Sequence, residues 1–336
     1  MNSGVVLVTG ATGFIGSHLV DFLNKQNRAV RCLVRTTSDI TFLKQLKVKI
    51  VYGDLLDKES LRKAVSGVEI VYHLAAMVRP HKVFSKKGEL ERLYETVNAQ
   101  GTQNIASACL KEGVAKFIHI SSISAVGVGE DLTESSICKP VTAYGKSKLL
   151  SEEIIINLVE SKNFPAVIIR PGQIYGERAY GMLNFFKLIK KDLLCIIGDG
   201  TNFLPVCYVA DLVEGLYLAE DKASPGALYF IFEDNYTFKE YVKTIAQVLG
   251  NSWSEKYLPQ KLAITCAKIK EIAESLIRLK ICPFRMDLGV SGMKVASVSW
   301  QGSTEKAKKE LGFKARTSLE KGMMLTLDWF TKNSLL

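Results

Sequence analysis

A doubly wound parallel α/β fold is the architecture this sequence predicts, and three observations carry it. A β-branched run, Val5-Val6-Leu7-Val8-Thr9, passes through a glycine-rich turn into a helical pattern at the start of the chain. Short apolar runs then alternate with helical stretches as far as about residue 170. Several of the runs end in polar residues (Arg35, Asp54, His73, Ser122, Arg170), at the sheet edge where ligands of such folds bind.

The turn after the first strand holds Gly10, Gly13 and Gly16, with Thr12, Phe14 and Ile15 between and beside them. Each absent side chain has a use: one for the tight turn, one for backbone approach to a pyrophosphate, one for packing helix on strand. The helix that follows offers unpaired N–H groups and the positive end of its dipole to phosphates. A glycine triplet between a strand and a helix therefore predicts dinucleotide binding.

Ala29 to Val34 reads as the second strand, ending at Arg35-Thr36, and Ser38-Asp39 suits a helix start. Lys47–Tyr52, Glu69–Leu74, Phe117–Ile120 and Ala166–Ile169 read as the third to sixth strands. Helices are expected at Asp57–Val65, Glu89–Glu112 and Ala143–Ser161. Past Tyr175 the alternation fails. Met182, Phe185, Phe186, Leu188 and Ile189 have helical spacing, Val206–Val209 reads as a strand, and Ala210–Ala219 as a helix. Leu262, Cys266, Ile269, Ala273 and Leu276 give an amphipathic helix flanked by Lys261, Lys268 and Arg278, read as a lid helix rather than a membrane-surface one. The expected division is 1–175 as an NAD(P)-binding domain and 176–336 as a substrate-binding region, with 203–219 returning to the first unit.

Composition narrows the class. Apolar residues make up 47% of the 336, enough for a large core. The net charge of +10 is scattered and accompanied by no nucleic-acid motif, so no nucleic-acid partner is expected. Seven cysteines, an odd number without a Cys-x-x-Cys pair, read as reduced thiols of a cytoplasmic protein, neither a disulfide frame nor a zinc site. No metal-ligand spacing joins His18, His73 and His119, so no metal is expected. No leader is expected before the first strand, and no apolar run reaches the ~20 residues needed to span a bilayer.

Chemistry is expected at Tyr144-Gly145-Lys146-Ser147-Lys148. Tyr144 and Lys148 lie four apart, on one helix face. A free phenol with pKa about 10 is too weakly acidic to serve as a base at neutral pH. An ammonium near ~5 Å favours phenolate by roughly 3 kcal/mol, about two pKa units. Tyr144 would then exchange a proton with a carbonyl or alcohol, and Ser122, at the end of the neighbouring strand, would hydrogen-bond the same oxygen. Ser124 is the near alternative to Ser122.

Taken in order, these residues resemble the extended short-chain dehydrogenases/reductases of the epimerase/dehydratase superfamily. The resemblance runs over nearly the whole chain. It rests on Thr9–Gly16, Gly53-Asp54-Leu55-Leu56-Asp57, His73-Leu74-Ala75-Ala76, Asn98, Ser121-Ser122, the Tyr144–Lys148 pentapeptide and Arg170–Gly176. It implies that Asp54 and Leu55 hold the adenine, that Ala75 and Ala76 lie under the cofactor, and that Pro171 borders the nicotinamide. It also implies catalytic roles for Ser122, Tyr144 and Lys148, with Asn98 in support, and a homodimer built through 89–112 and 143–161. Within the superfamily, Leu33–Asp39 and the stretch from Trp300 to Trp329 are most similar to the dihydroflavonol reductase and 3β-hydroxysteroid dehydrogenase branch.

The function expected is an NAD(P)-dependent oxidoreductase that interconverts a secondary alcohol and a ketone. A nucleotide-sugar epimerase is the alternative, and a non-catalytic NAD(P)-binding sensor a third. Dehydratases of the family carry Thr-Asp-Glu where this chain has Ser122-Ile123-Ser124. Arg35 at the end of the second strand, with no acid before Asp39, predicts a preference for NADP over NAD. Leu204-Pro205, where related sugar-nucleotide enzymes place an Arg-Asp pair, predicts a more apolar substrate shaped by loops near 77–90, 124–138 and 175–205.

Overall fold

The computed structural model describes residues 4–78, 88–277 and 295–336. Its centre is a seven-stranded parallel sheet. The first five strands are β1 (Val5–Thr9), β2 (Val30–Val34), β3 (Val48–Tyr52), β4 (Val68–His73) and β5 (Lys116–Ile120). After the short β6 (Gly129–Leu132) comes β7 (Ala166–Pro171). The spatial order runs from β3 through β2, β1, β4, β5 and β7 to a last strand, Leu228–Ile231. The chain reverses direction across the sheet between β1 and β4, so the ends of those strands frame a crevice.

Alternation of side chains fills both faces. Val6 and Val8 pack on one side with Leu19, Val20 and Leu23 of α1 (Phe14–Lys25). Leu7 points the other way, into a cluster with Leu61 of α2 (Lys58–Val65), Ile105 and Ile155. Asp57 caps α2, accepting from the amides of Glu59 and Ser60. The helical stretch expected at 89–112 is not one α-helix: α3 (Glu89–Tyr94) passes through a π-helical segment, Glu95–Gln100, into α4 (Gly101–Glu112). The next helix, α5 (Ala143–Lys162), is capped by Thr142, whose hydroxyl accepts from the Gly145 amide at 2.9 Å.

Beyond β7 the chain builds smaller units. These are β8 (Gln173–Tyr175), α6 (Tyr180–Lys190), β9 (Ile196–Ile197), β10 (Phe203–Tyr208), α7 (Val209–Lys222), β11 (Leu228–Ile231), β12 (Asp234–Thr237) and α8 (Phe238–Val248). Strand β10 does not join the central sheet; it pairs parallel to β8 and antiparallel to β12. Its helix α7 does pack on α1, β5 and β7. The seventh strand of the sheet is β11, not the 206–209 run, and the four-residue β11 is too short to show a pattern in the sequence. Leu204 and Pro205 lie within β10 rather than before it, and Pro205 pairs with Asn235. A third apolar cluster, with Tyr175, Met182, Phe186, Val206, Tyr241 and Met323, holds this region together. Strand β13 (Tyr257–Leu258) pairs with β9, α9 spans Gln260–Ile277, and β14 (Trp300–Gly302) pairs with β6. The side chains expected on α9 at Ala273 and Leu276, together with Arg278 and Cys282, lie outside those described.

No helix starts at Ser38-Asp39. Asp39 instead accepts from the Thr41 amide at 2.9 Å, an Asx-type turn, and only a short 3₁₀ turn follows at Leu43–Gln45. Among the described residues no helix is long and apolar enough to cross a membrane.

Candidate active site

The glycine turn is built for close approach. Gly10 is left-handed (φ +70°), and a Cβ there would lie 2.7 Å from the Ala75 nitrogen. A Cβ on Gly16 would lie 2.1 Å from the Gly10 carbonyl oxygen, so strand and helix touch through backbone. Gly13 is different. Its Cβ would meet only the Gly10 oxygen, at 3.1 Å, so its outer face is open. Gly13 is also the N-cap of α1, with no side-chain cap and no acid in the first turn. The helix amides are thus left for an external anion, which fits a dinucleotide diphosphate. Thr12, Gly13 and Phe14 face a cavity of about 840 Å³. Ile15 is half-buried behind them and packs on the core.

The other expected cofactor residues rim the same sheet edge. Ala75 donates its amide to Thr9 Oγ1 at 3.2 Å, and Ala76 is half-buried beside it. Leu55 is buried, and its carbonyl accepts from Asn104. Asp54 is exposed, its Oδ1 accepting from the Leu56 amide at 2.9 Å. Arg35 is exposed at the end of β2. Pro171 is buried at the end of β7.

The catalytic candidates come together at the ends of β5 and α5. The Tyr144 phenol is hydrogen-bonded to Ser122, and Ser122 faces the cavity. The residue after Tyr144 explains the approach: a Cβ on Gly145 would lie 2.3 Å from the Ser124 carbonyl oxygen. Ser122 Oγ also accepts from the Ser124 amide at 3.1 Å, which fixes its rotamer, and Ser124 lines the cavity as well. Lys148 is buried, and its ammonium donates to the Ile120 carbonyl at 2.5 Å.

The electrostatics differ from expectation. Burial pushes the Tyr144 phenol up to about 12; the Ser122 hydrogen bond pulls against this, and Tyr94 adds to it. The expected two-unit lowering by Lys148 does not occur, because the ammonium is turned to the Ile120 carbonyl. Burial lowers Lys148 to about 8, opposed by Glu152 one turn along. Tyr144 in this state is a proton donor, and its conversion to phenolate requires added positive charge.

Asn98 sits in the π-helical segment, where such bulges re-aim side chains. Its Oδ1 accepts from the Met77 amide at 2.7 Å, and its Nδ2 donates to the Met77 carbonyl and to Ser147 Oγ. Ser147 Oγ in turn donates to the Tyr144 carbonyl at 2.7 Å. Asn98 therefore ties the loop after β4 to the turn of helix that carries Tyr144.

His73 and Arg170, read as residues of the ligand edge, are buried and engaged. His73 hydrogen-bonds Thr9 and Thr102, and burial lowers it to about 3. Arg170 makes a two-pronged ion pair with Glu152 at 2.9 and 2.6 Å. Both residues build the floor beneath the site. The cavity also takes in residues that the sequence did not single out. Trp300 and Ile197 lie in strands too short for a periodicity signal, and Asp39 and Phe42 lie in the turn mistaken for a helix start.

A parallel doubly wound sheet, an open glycine turn and a Ser–Tyr–Lys cluster at its edge define an NAD-dependent enzyme of the extended short-chain dehydrogenase/reductase type. The chain belongs to the NAD dependent epimerase/dehydratase family, whose model matches residues 6–231. It is similar to the sterol demethylase protein B of Methylococcus capsulatus, at 27% identity over 98% of this chain and 99% of that one. It is 28% identical to a 3 beta-hydroxysteroid dehydrogenase/Delta 5-->4-isomerase of Mycobacterium tuberculosis, over 74% of this chain and 70% of that one. Among solved structures, gox2253 superposes with a TM-score of 0.83 at 26% identity, covering 99% of each chain. The UDP-glucose 4-epimerase of Thermotoga maritima superposes at 0.77 and 24% identity, covering 98% of this chain and 99% of that one, a likeness of fold.

Proposed function

We propose that this enzyme interconverts a secondary alcohol and a ketone on an apolar substrate, passing hydride to or from a nicotinamide cofactor. The observation that carries the reading is the wall of the cavity that holds Ser122: Leu204, Pro205, Phe185, Met182, Phe238 and Tyr241 line it. Bound dinucleotide would supply the hydride carrier and, when oxidised, a positive charge. The Ser122 hydroxyl orients the substrate oxygen and Tyr144 gives or takes its proton; the charge of an oxidised nicotinamide, added to that of Lys148, would favour the phenolate. In this reading residues 1–175 hold the dinucleotide and 176–336 shape the substrate, with the enzyme a cytoplasmic homodimer. Exposed Leu150 and Ile156 on α5 support a helix-to-helix dimer contact. Similarity to sterol and steroid enzymes supports the apolar substrate. The alternative, a nucleotide-sugar epimerase, makes the opposite demand on the cavity. A turnover screen setting sterols and aryl or alkyl ketones against sugar nucleotides, with cofactor present, tests the reading. Turnover confined to the apolar set is expected; epimerisation of a sugar nucleotide would overturn it.

The same reading gives NADP(H) as the preferred cofactor. Arg35 is exposed where a ribose 2′-phosphate would lie, and no carboxylate precedes Asp39, which is engaged with Thr41. Arg35→Ala is expected to weaken NADPH about tenfold, the loss of one charge-assisted bond, and to leave NADH unchanged. Fluorescence titration with both cofactors checks this, and equal affinities in wild type and variant would refute it.

A further inference from the structure

One cation in the cavity is not accounted for by the site described above. Arg178 lies in the turn between β8 and α6, and it faces the same cavity as Thr12, Gly13 and Phe14. Its backbone is left-handed (φ +63°), an unfavourable conformation for a side chain of this size. The surrounding contacts impose it. Gly176 before it is also at positive φ, where a Cβ would strike Val209 at 2.6 Å. Glu177 is fastened on two sides: its carboxylate accepts from the Tyr208 hydroxyl through both oxygens at 2.7 Å, and its carbonyl contacts His18 Nε2 at 2.8 Å. The turn is thus bolted to α1 on one side and to β10 on the other. The result aims the guanidinium over the Phe42 ring, 4.5 Å from its centroid.

The guanidinium has no carboxylate to itself. Its Nε is buried and without a hydrogen-bond partner. Asp21 and Glu177 stand within electrostatic reach of it, but each is shared: Asp21 pairs with Lys25 at 2.9 Å, and the Glu177 carboxylate also accepts the Tyr208 hydroxyl proton. Asp39, also in the cavity wall, accepts from Thr41. His18 adds no charge, since burial and Arg178 itself lower it to about 4. A partly buried cation beside the uncapped positive end of α1 is unfavourable unless an anion lies between them. The guanidinium itself stacks on Phe42, after β2, and the turn meets α1 at His18; these two segments belong to the half of the chain that forms the glycine turn. The apolar substrate wall comes from the other half.

We propose that Arg178 is a second anchor for the cofactor's diphosphate, acting together with the amides of the α1 N-terminus. The inference rests on the dinucleotide reading of the glycine turn. It assigns the turn after β8 a role in cofactor retention as well as in shaping the substrate cavity. Stacking on Phe42 holds the planar guanidinium ready, so little side-chain freedom is lost on binding.

The test is equilibrium binding, independent of turnover. Arg178→Asn keeps a residue type that tolerates left-handed backbone, and Arg178→Gly is the second variant should the first fold poorly. NADH, NADPH and UDP-glucose are titrated into wild type and variant by calorimetry, beside thermal melts without ligand. The expected result is an equal rise in Kd for NADH and NADPH, about tenfold, with an unchanged or higher melting temperature for the free protein. Unchanged NADH affinity in a folded variant would overturn the inference and leave the dinucleotide reading standing. A loss confined to NADPH would move Arg178 to the 2′-phosphate, and a loss confined to UDP-glucose would move it to the substrate; either outcome overturns the assignment. Wild type that binds neither NADH nor NADPH would remove the dinucleotide reading and this inference together.

Discussion

Tyr144→Phe is expected to lower kcat about 10³-fold on any true substrate while leaving cofactor affinity unchanged. The phenol hydrogen-bonded to Ser122 carries a titratable proton, and phenylalanine removes the hydroxyl while keeping the ring. A thousandfold loss corresponds to roughly 4 kcal/mol of transition-state stabilisation, ordinary for a positioned acid or base. In the proposed reading cofactor affinity rests on other groups, the Gly10–Gly16 turn above all, whose outer face is open at Gly13. Single-turnover kinetics and NADH titration on the same preparation separate the two effects. Full activity in the variant would remove Tyr144 from the mechanism. Loss of cofactor binding in step with kcat would make the residue structural.

The parts of this enzyme legible in its sequence are those where one residue type is demanded by backbone geometry. Gly10 and Gly16 are read correctly as a turn and a helix–strand contact because any Cβ there collides with backbone. The buried strands β1, β2, β4, β5 and β7 announce themselves as short apolar runs, since both faces are covered. Elements defined by distant partners stay hidden. Strand β11 has four residues and becomes a strand by pairing with β7. Strand β10 reads like another core strand, yet pairs with β8 and β12 instead. The π-helical segment around Asn98 has no local signature, and its contacts to Met77 and Ser147 are long-range. The electrostatic balance at Tyr144 is hidden for a similar reason. Sequence spacing places Lys148 on the same helix face, but it does not show that the ammonium turns to Ile120 or that it is buried.

That burial leads to an effect on stability. Lys148→Met is expected to abolish most turnover and at the same time to stabilise the free protein by about 2 kcal/mol at neutral pH. The lysine falls from 10.5 in the unfolded chain to about 8 in the fold, with burial the main cause and Glu152 opposing it. At 1.36 kcal/mol per unit, holding the charged form inside costs about 3 kcal/mol. Methionine has similar length and no charge, but it leaves the Ile120 carbonyl without its donor, which returns about 1 kcal/mol. The sign follows from proton counts. Below about pH 8 both states hold the proton, and the folded protein bears the whole penalty. Between about 8 and 10.5 the unfolded chain binds the proton more than the fold does, so wild-type stability from this group rises with pH. The advantage of the variant is therefore full at pH 7, shrinks to zero within that window, and above it gives way to a deficit of about 1 kcal/mol from the lost Ile120 hydrogen bond. Urea unfolding of both proteins at several pH values from neutral to alkaline measures the difference directly. A variant less stable than wild type at pH 7, or a gap that stays constant with pH, would show that Lys148 is not a strained charge kept in place for the reaction.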